Sequence, residues 1–266
     1  MIEDNELKGV LVTGASRGIG YELARLAAGD GYNPVLVSRT EEELLEVKEE
    51  LEEEFQVQAK VITGDLSKQN TPKRIYDELQ NSNFRVDLLF NNAGRGQMGE
   101  FTETNWETDR EMMHLNMDAV VHLTKLFLPG MKKRGKGGII NVSSLAAFQP
   151  GPLMALYYAS KAFVQSYSEA LAEEVESYGV SVTALSPGPV DTGFQIKGKS
   201  PKTQQSDRSV SLDPEYVAKA GYDGLMSGKR LVIPGNLTAI APQLVRLLPR
   251  KAVTKFVKKI NGTRLD

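Results

Sequence analysis

Gly9-Val10-Leu11-Val12-Thr13-Gly14-Ala15-Ser16-Arg17-Gly18-Ile19-Gly20 is the stretch whose reading decides the fold. Residues 9–13 are a short apolar run with β-branched members, which reads as a buried strand. Glycines follow at 14, 18 and 20, and from Tyr21 to Ala28 the apolar Leu23, Leu26 and Ala27 recur at helical spacing. Strand, glycine turn and helix in immediate succession are the context a dinucleotide site needs. Gly14 can take a tight turn without a Cβ clash, Gly18 lets backbone approach a pyrophosphate, and Gly20 allows close packing of helix on strand. The free N–H groups of the helix start face that anion, and Ser16, Arg17 and Ile19 lie in the turn beside them. The order G-x-x-x-G-x-G departs from the G-x-G-x-x-G of the general fingerprint, and the departure is informative.

Working outward, apolar strand candidates recur at 34–37, 58–62, 86–90, 138–142, 180–185 and 230–233, with helical patterns between them. Alternation of this kind predicts an α/β fold: a Rossmann-like, doubly wound parallel sheet of about seven strands, with helices on both faces. No repeat or linker divides the chain, so residues 1–266 are expected to form one domain with a C-terminal helical extension. The polar stretch Gly193 to Ser211 is long for a loop in a compact domain, which makes it functional or disordered. Asp213-Pro214 then reads as the cap and first position of the next helix.

Tyr157 and Lys161 fall one helical turn apart, on one face. A phenol ionises at about pH 10, and a neighbouring cation pulls that value down, so the pair suits proton transfer. With Thr13-Gly14-Ala15-Ser16-Arg17-Gly18-Ile19-Gly20, Asn91-Asn92-Ala93-Gly94, Ser144 and Ser186-Pro187-Gly188-Pro189-Val190-Asp191-Thr192, this motif resembles the short-chain dehydrogenase/reductase family over residues 8–232.

The resemblance implies an oxidoreductase that transfers hydride between a nicotinamide and a carbonyl or secondary alcohol. By it, Ser144 hydrogen-bonds the substrate oxygen, Tyr157 transfers its proton, Lys161 lowers the Tyr157 pKa and holds the nicotinamide ribose, and Asn116 carries a water that relays protons to the lysine. Ser144 lies thirteen residues before Tyr157, the family's spacing, which favours it over the adjacent Ser143. Negative charge developing on a carbonyl oxygen would be stabilised by donors from Ser144 and Tyr157 without a metal. The only histidines, His114 and His122, make no ligand set with nearby acids. Where NAD-selective members carry an acid at the end of the second strand, this chain has Ser38-Arg39. With Arg17, the change implies NADP(H) in preference to NAD(H). Asp65, with Leu66, matches the adenine contact, or else caps a helix beginning near Ser67. Asn91, Asn92, Ala93 and Gly94 are expected at the adenosine ribose, and Pro187, Gly188, Val190 and Thr192 at the nicotinamide. Phe148, Leu153, Met154, Leu156 and Phe194 flank the motifs and could line an apolar substrate pocket, suited to a ketone or 3-oxoacyl compound. Residues 193–211 would form a lid over it. A second class, a sensor or scaffold that binds NADP(H) without turnover, generally loses the tyrosine or lysine that this chain keeps.

The composition is that of a soluble globular protein: 41% hydrophobic, 25% charged, a net charge of -2 and no cysteine. Nothing in it suggests a nucleic-acid partner, a disulfide or a thiolate metal site. The acidic start Met1-Ile2-Glu3-Asp4-Asn5-Glu6 lacks a signal-peptide layout, and a cytoplasmic protein is expected. The segment 236–266 is basic and amphipathic: Ile240, Leu244, Leu247, Leu248, Val253, Phe256, Val257 and Ile260 form apolar stripes among Lys and Arg. It can cover the substrate cleft, pack on another subunit, or make weak contact with a lipid surface. Relatives pair through helices corresponding to 103–134 and 156–178, so a homodimer or homotetramer is expected, with Pro129-Gly130 ending the first helix early.

Overall fold

A computed structural model of the chain describes residues 6–194, 196–198, 211–235, 245 and 247–263. Its centre is a seven-stranded, all-parallel sheet. In chain order the strands are β1 (Leu7–Thr13), β2 (Asn33–Ser38), β3 (Lys60–Thr63), β4 (Phe84–Asn91), β6 (Gly137–Val142), β7 (Val180–Leu185) and β9 (Leu231–Val232), and in space they run β3-β2-β1-β4-β6-β7-β9. A separate two-stranded sheet pairs β5 (Gly96–Gln97) with β8 (Ile196–Lys197). The helices are α1 (Gly18–Gly29), α2 (Glu41–Phe55), α3 (Thr71–Gln80), α4 (Trp106–Met113), α5 (Ala119–Arg134), α6 (Ala155–Val175), α7 (Pro214–Met226) and α8 (Arg250–Gly262).

Period-two alternation divides the core. Val10 and Val12 of β1 face one side, with Leu36, Phe90, Ile140 and Leu185, and pack against Leu23 and Ala27 of α1, Leu44 of α2 and Tyr222 of α7. Leu11 faces the other, with Val35, Leu89, Ile139 and Val182, against Ile75 of α3, Phe127 of α5 and Leu171 of α6. Strands buried on both faces read as continuous apolar runs, which is why the sequence reveals them. The sheet reverses direction of growth between β1 and β4, and ligands of open α/β sheets bind beyond the carboxyl ends of strands at such a point.

Three local expectations are corrected. Strand β3 begins at Lys60, not 58, because the Gln58 and Ala59 amides donate to Asn33 Oδ1 (2.9 Å) and Glu52 Oε1 (2.8 Å). Helix α3 starts at Thr71, not near Ser67: Asp65 Oδ1 accepts from Ser67 N (2.9 Å) in a local turn, and Pro72 sits in the first helical turn. Pro129 does not end α5, which continues to Arg134. Pro129 and Lys125 are exposed, so the carbonyl that loses its i+4 donor is open to water, while Phe127 and Met131 hold the next turn to the core.

Candidate active site

Gly14, Ser38, Asp65, Asn92, Ser144 and Pro187, each just beyond or at the end of a main-sheet strand, line one cleft of about 660 Å³. Its phosphate end is a cradle that tolerates no side chain. Gly14 and Gly18 both take left-handed backbone (φ +66 and +59). A Cβ at Gly18 would lie 2.6 Å from Thr192 Cβ, and one at Gly20 would lie 2.1 Å from Gly14 O and 2.5 Å from Asn92 Nδ2. Asn92 staples the turn, donating from Nδ2 to Thr13 O (3.0 Å) and Gly14 O (3.1 Å). Ser16, Arg17, Ile19, Ser38, Arg39, Leu66, Ala93 and Gly94 line this half of the cleft, and α1 starts at Gly18 with no side-chain cap on its amides. An anion is the natural occupant of such a helix start.

Tyr157, Lys161 and Ser144 line the other half with Pro187, Gly188, Val190 and Thr192. Strand β6 delivers Ser143 and Ser144. Ser143 Oγ donates to the carbonyl of Lys161 (2.8 Å), whereas Ser144 Oγ accepts from Ala146 N (3.1 Å) and bonds to the Tyr157 side chain. Ser143 is thus engaged in holding α6 to the strand, and Ser144 faces the phenol. Asn116 lies on a π-helical turn, His114–Asp118, between α4 and α5. Its Nδ2 donates to Arg95 O (3.0 Å) and Ser160 Oγ (3.1 Å), and its Oδ1 accepts from Arg95 N (3.1 Å). A Cβ placed on Gly94 would touch Asn116 Oδ1 at 3.3 Å and Lys161 Nζ at 3.4 Å, so these three residues meet around one point.

The electrostatics differ from the expectation that Lys161 lowers the phenol pKa. Lys161 Nζ donates to Val142 O (2.8 Å) and stands 6.0 Å from the Tyr157 ring centre. Burial dominates at both groups. It pushes Tyr157 up to about 12 against the pull of the Ser144 bond, and it brings Lys161 down to about 8. Between about pH 8 and the unfolded value of about 10.4, the unfolded chain binds more protons at Lys161 than the folded chain does. This group therefore makes stability rise with pH across that window. Lys161→Met is expected to be more stable than the natural protein at pH 7, by up to about 3 kcal/mol, and to lack the rise. Denaturant midpoints for both proteins at pH 7 and above pH 9 check this.

The structure does not bring every expected residue to the cleft. Asn91 is buried in a polar chain instead, donating to Asn141 Oδ1 (2.8 Å), which in turn reaches Ser168. Phe148 closes the short helical turn Leu145–Phe148 without lining the cleft. Leu153 and Leu156 border a small separate hollow, shared with Met154. Met154 and Phe194 do line the cleft, and the Phe194 ring lies 6.0 Å from that of Tyr157. Of the lid expected over 193–211, residues 195 and 199–210 lie outside the described residues. Sequence reasoning did not assign Arg95, Gln149 or Tyr158 to the cleft, and it left open whether the tail reached it. Val257 and Ile260 of α8 line it, and Asn261 anchors that helix by donating to Pro152 O (2.9 Å). The i, i+4, i+8 pattern Val253, Val257, Asn261 was the available signal.

The family model described as short chain dehydrogenase matches residues 8–203. The chain belongs to the short-chain dehydrogenase family. This short-chain dehydrogenase is 32% identical over 258 residues to the very-long-chain 3-oxoacyl-CoA reductase of Anas platyrhynchos, covering 94% of this chain and 79% of that one. It is 34% identical over 210 residues to 17-beta-hydroxysteroid dehydrogenase type 3 of Mus musculus, covering 78% of this chain and 68% of the other. A short-chain dehydrogenase from Sphingobium yanoikuyae, solved in complex with NADPH, superposes with a TM-score of 0.78 at 28% identity, covering 90% of this chain and 92% of that one. The protein is accordingly a nicotinamide-dependent oxidoreductase acting on CH–OH groups.

Proposed function

We propose that the protein is an NADP(H)-dependent reductase of an apolar ketone or 3-oxoacyl substrate. The observation that carries the cofactor choice is the ribose end of the cleft, where Arg17 and Arg39 stand with Ser38 and no carboxylate ends β2. Asp65 Oδ1 accepts from the Ser67 amide, and Glu43, in the first turn of α2, and Asp191 are the other acids that line the cleft. A planar guanidinium suits a 2′-phosphate, and a carboxylate at position 38 would repel it. The NADPH held by the Sphingobium relative supports the same choice.

The glycine cradle and the start of α1 would hold the pyrophosphate, and Lys161 and Thr192 the nicotinamide end. A cofactor held there would supply the hydride for the carbonyl carbon. Ser144 Oγ accepts from Ala146 N, and its hydroxyl, bonded to the Tyr157 side chain, would turn its proton to the substrate oxygen when substrate is bound. Tyr157 keeps its proton through neutral pH and is set to deliver it to the same oxygen as charge develops there. Met154, Phe194, Val257 and Ile260 give the substrate an apolar surround, and both curated relatives named above bear names of enzymes for large apolar substrates.

The test is kcat/KM with NADPH and NADH over a panel of ketones and 3-oxoacyl thioesters. Turnover should favour NADPH. Arg39→Leu should reduce kcat/KM with NADPH about 10- to 100-fold, the range of a charged hydrogen bond, and leave that with NADH almost unchanged. A natural protein that prefers NADH overturns the cofactor assignment.

A further inference from the structure

We infer that α8 docks the protein on an anionic lipid surface, with the mouth of the substrate cleft held against it. Among the described residues the protein occupies one stripe of this helix: Val253, Val257 and Asn261 are buried. On the flank beside that stripe, helical spacing puts Phe256 and Ile260 on one line, 66% and 40% exposed. Leu247 and Leu248, just before the helix, are 82% and 54% exposed. These side chains are too large and too close together in sequence to be scattered surface residues. The remaining face carries Lys251, Lys255, Lys258 and Lys259, with Arg250 at the start, and the helix contains no acid. None of these five cations has an ion-pair partner among the described residues.

Charge and apolar surface together select the occupant. Nucleic acid would satisfy the lysines but leave Leu247, Leu248 and Phe256 in water. A second copy docked face to face would bring the same five cations against each other. A bilayer with anionic headgroups meets both needs, taking the apolar flank into the acyl boundary and the ammonium groups at the phosphate level. Among the described residues no helix is long and apolar enough to cross a membrane, so the contact is with the surface. Ile260 adds a functional point, because it belongs both to the exposed flank and to the cleft lining. Docking would let an apolar substrate pass from lipid into the cleft without crossing water.

Docking itself is independent of the reductase reading; only substrate delivery rests on it. The experiment is sedimentation of the full chain with sucrose-loaded vesicles of phosphatidylcholine alone or with added phosphatidylserine, at low and high salt. Binding should favour the anionic vesicles more than tenfold and weaken with salt. Replacing Lys255, Lys258 and Lys259 together by serine should lower partitioning roughly a hundredfold, at about fivefold for each charge. Phe256→Ser should lower it about tenfold. Both variants should reduce a water-soluble ketone at the natural rate and lose rate only on a vesicle-dissolved one. Equal binding to both vesicle types, or unchanged binding by the triple variant, overturns docking. So does a chain that ignores vesicles and instead self-associates through this face or binds duplex DNA. Vesicle binding without turnover of any ketone would leave docking standing and overturn the reductase reading.

Discussion

Tyr157→Phe is expected to lower kcat for ketone reduction by about 10²- to 10⁴-fold, the usual contribution of a positioned general acid. The substitution removes one oxygen from a cleft wall and leaves the ring beside Phe194 and the helix backbone around it intact. NADPH binding and thermal midpoint should therefore stay close to natural. The high phenol pKa gives the expectation its direction. A group held near 12 keeps its proton at neutral pH, which suits it to give that proton to an alkoxide rather than to take one from an alcohol. Single-turnover NADPH oxidation, read beside NADPH fluorescence titration, separates lost chemistry from lost binding. A variant that kept a tenth of natural activity would remove Tyr157 from the proton path.

Gly20→Ala is expected to lower stability sharply. At an ordinary helical position, replacing Gly by Ala stabilises by roughly 0.5–1 kcal/mol. Here the new Cβ would sit 2.1 Å from the Gly14 carbonyl oxygen, a backbone atom that cannot rotate away. It would also displace Asn92 Nδ2, which ties Thr13 and Gly14 to the end of β4. Overpacking against backbone costs about 3 kcal/mol, which for a chain of this size lowers the melting temperature by roughly 6–12 °C. Loss of NADPH binding should accompany it, because α1 and the glycine turn must separate. Gly29→Ala, in the last turn of the same helix, is the control: its Cβ would meet only the Phe55 ring at 3.5 Å, and the change should be neutral or slightly stabilising. Equal melting temperatures for the two variants would mean the cradle has slack that the geometry denies.

Much of this was legible in the residues. Strands β1, β2, β4, β6 and β7 announce themselves because their buried runs are largely apolar on both faces, and a motif follows the carboxyl end of each, where the parallel sheet opens its cleft. The spacing of the family that the motifs resemble favours Ser144 over Ser143, but the reason for their different surroundings, the bond from Ser143 to Lys161 O, needs coordinates. Asn91 illustrates the limit: two adjacent asparagines end one strand, and alternation sends one into a buried network and the other to the glycine turn. The direction of the Tyr157 shift was also out of reach. A sequence gives the cation one turn away, but not the Val142 carbonyl that holds it. Pro129 was misread because helix-breaking depends on what the freed carbonyl faces. The place of the tail helix depends on contacts more than a hundred residues apart in sequence, such as Asn261 with Pro152.

The π-helical turn at His114–Asp118 has a consequence for how this protein could be altered. Such a turn amounts to one residue more than a regular helix needs. Deleting a single residue there would let α4 and α5 merge into one uninterrupted rod. Everything upstream would then swing about the rod axis by about 100°, the angle between successive residues. Asn116 would leave its bonds to Arg95 and Ser160, and the chain after β4 would lose its tether beside Lys161. A length change of one residue, far from either end and chemically conservative, would thus act as a rotary displacement of one wall of the active site.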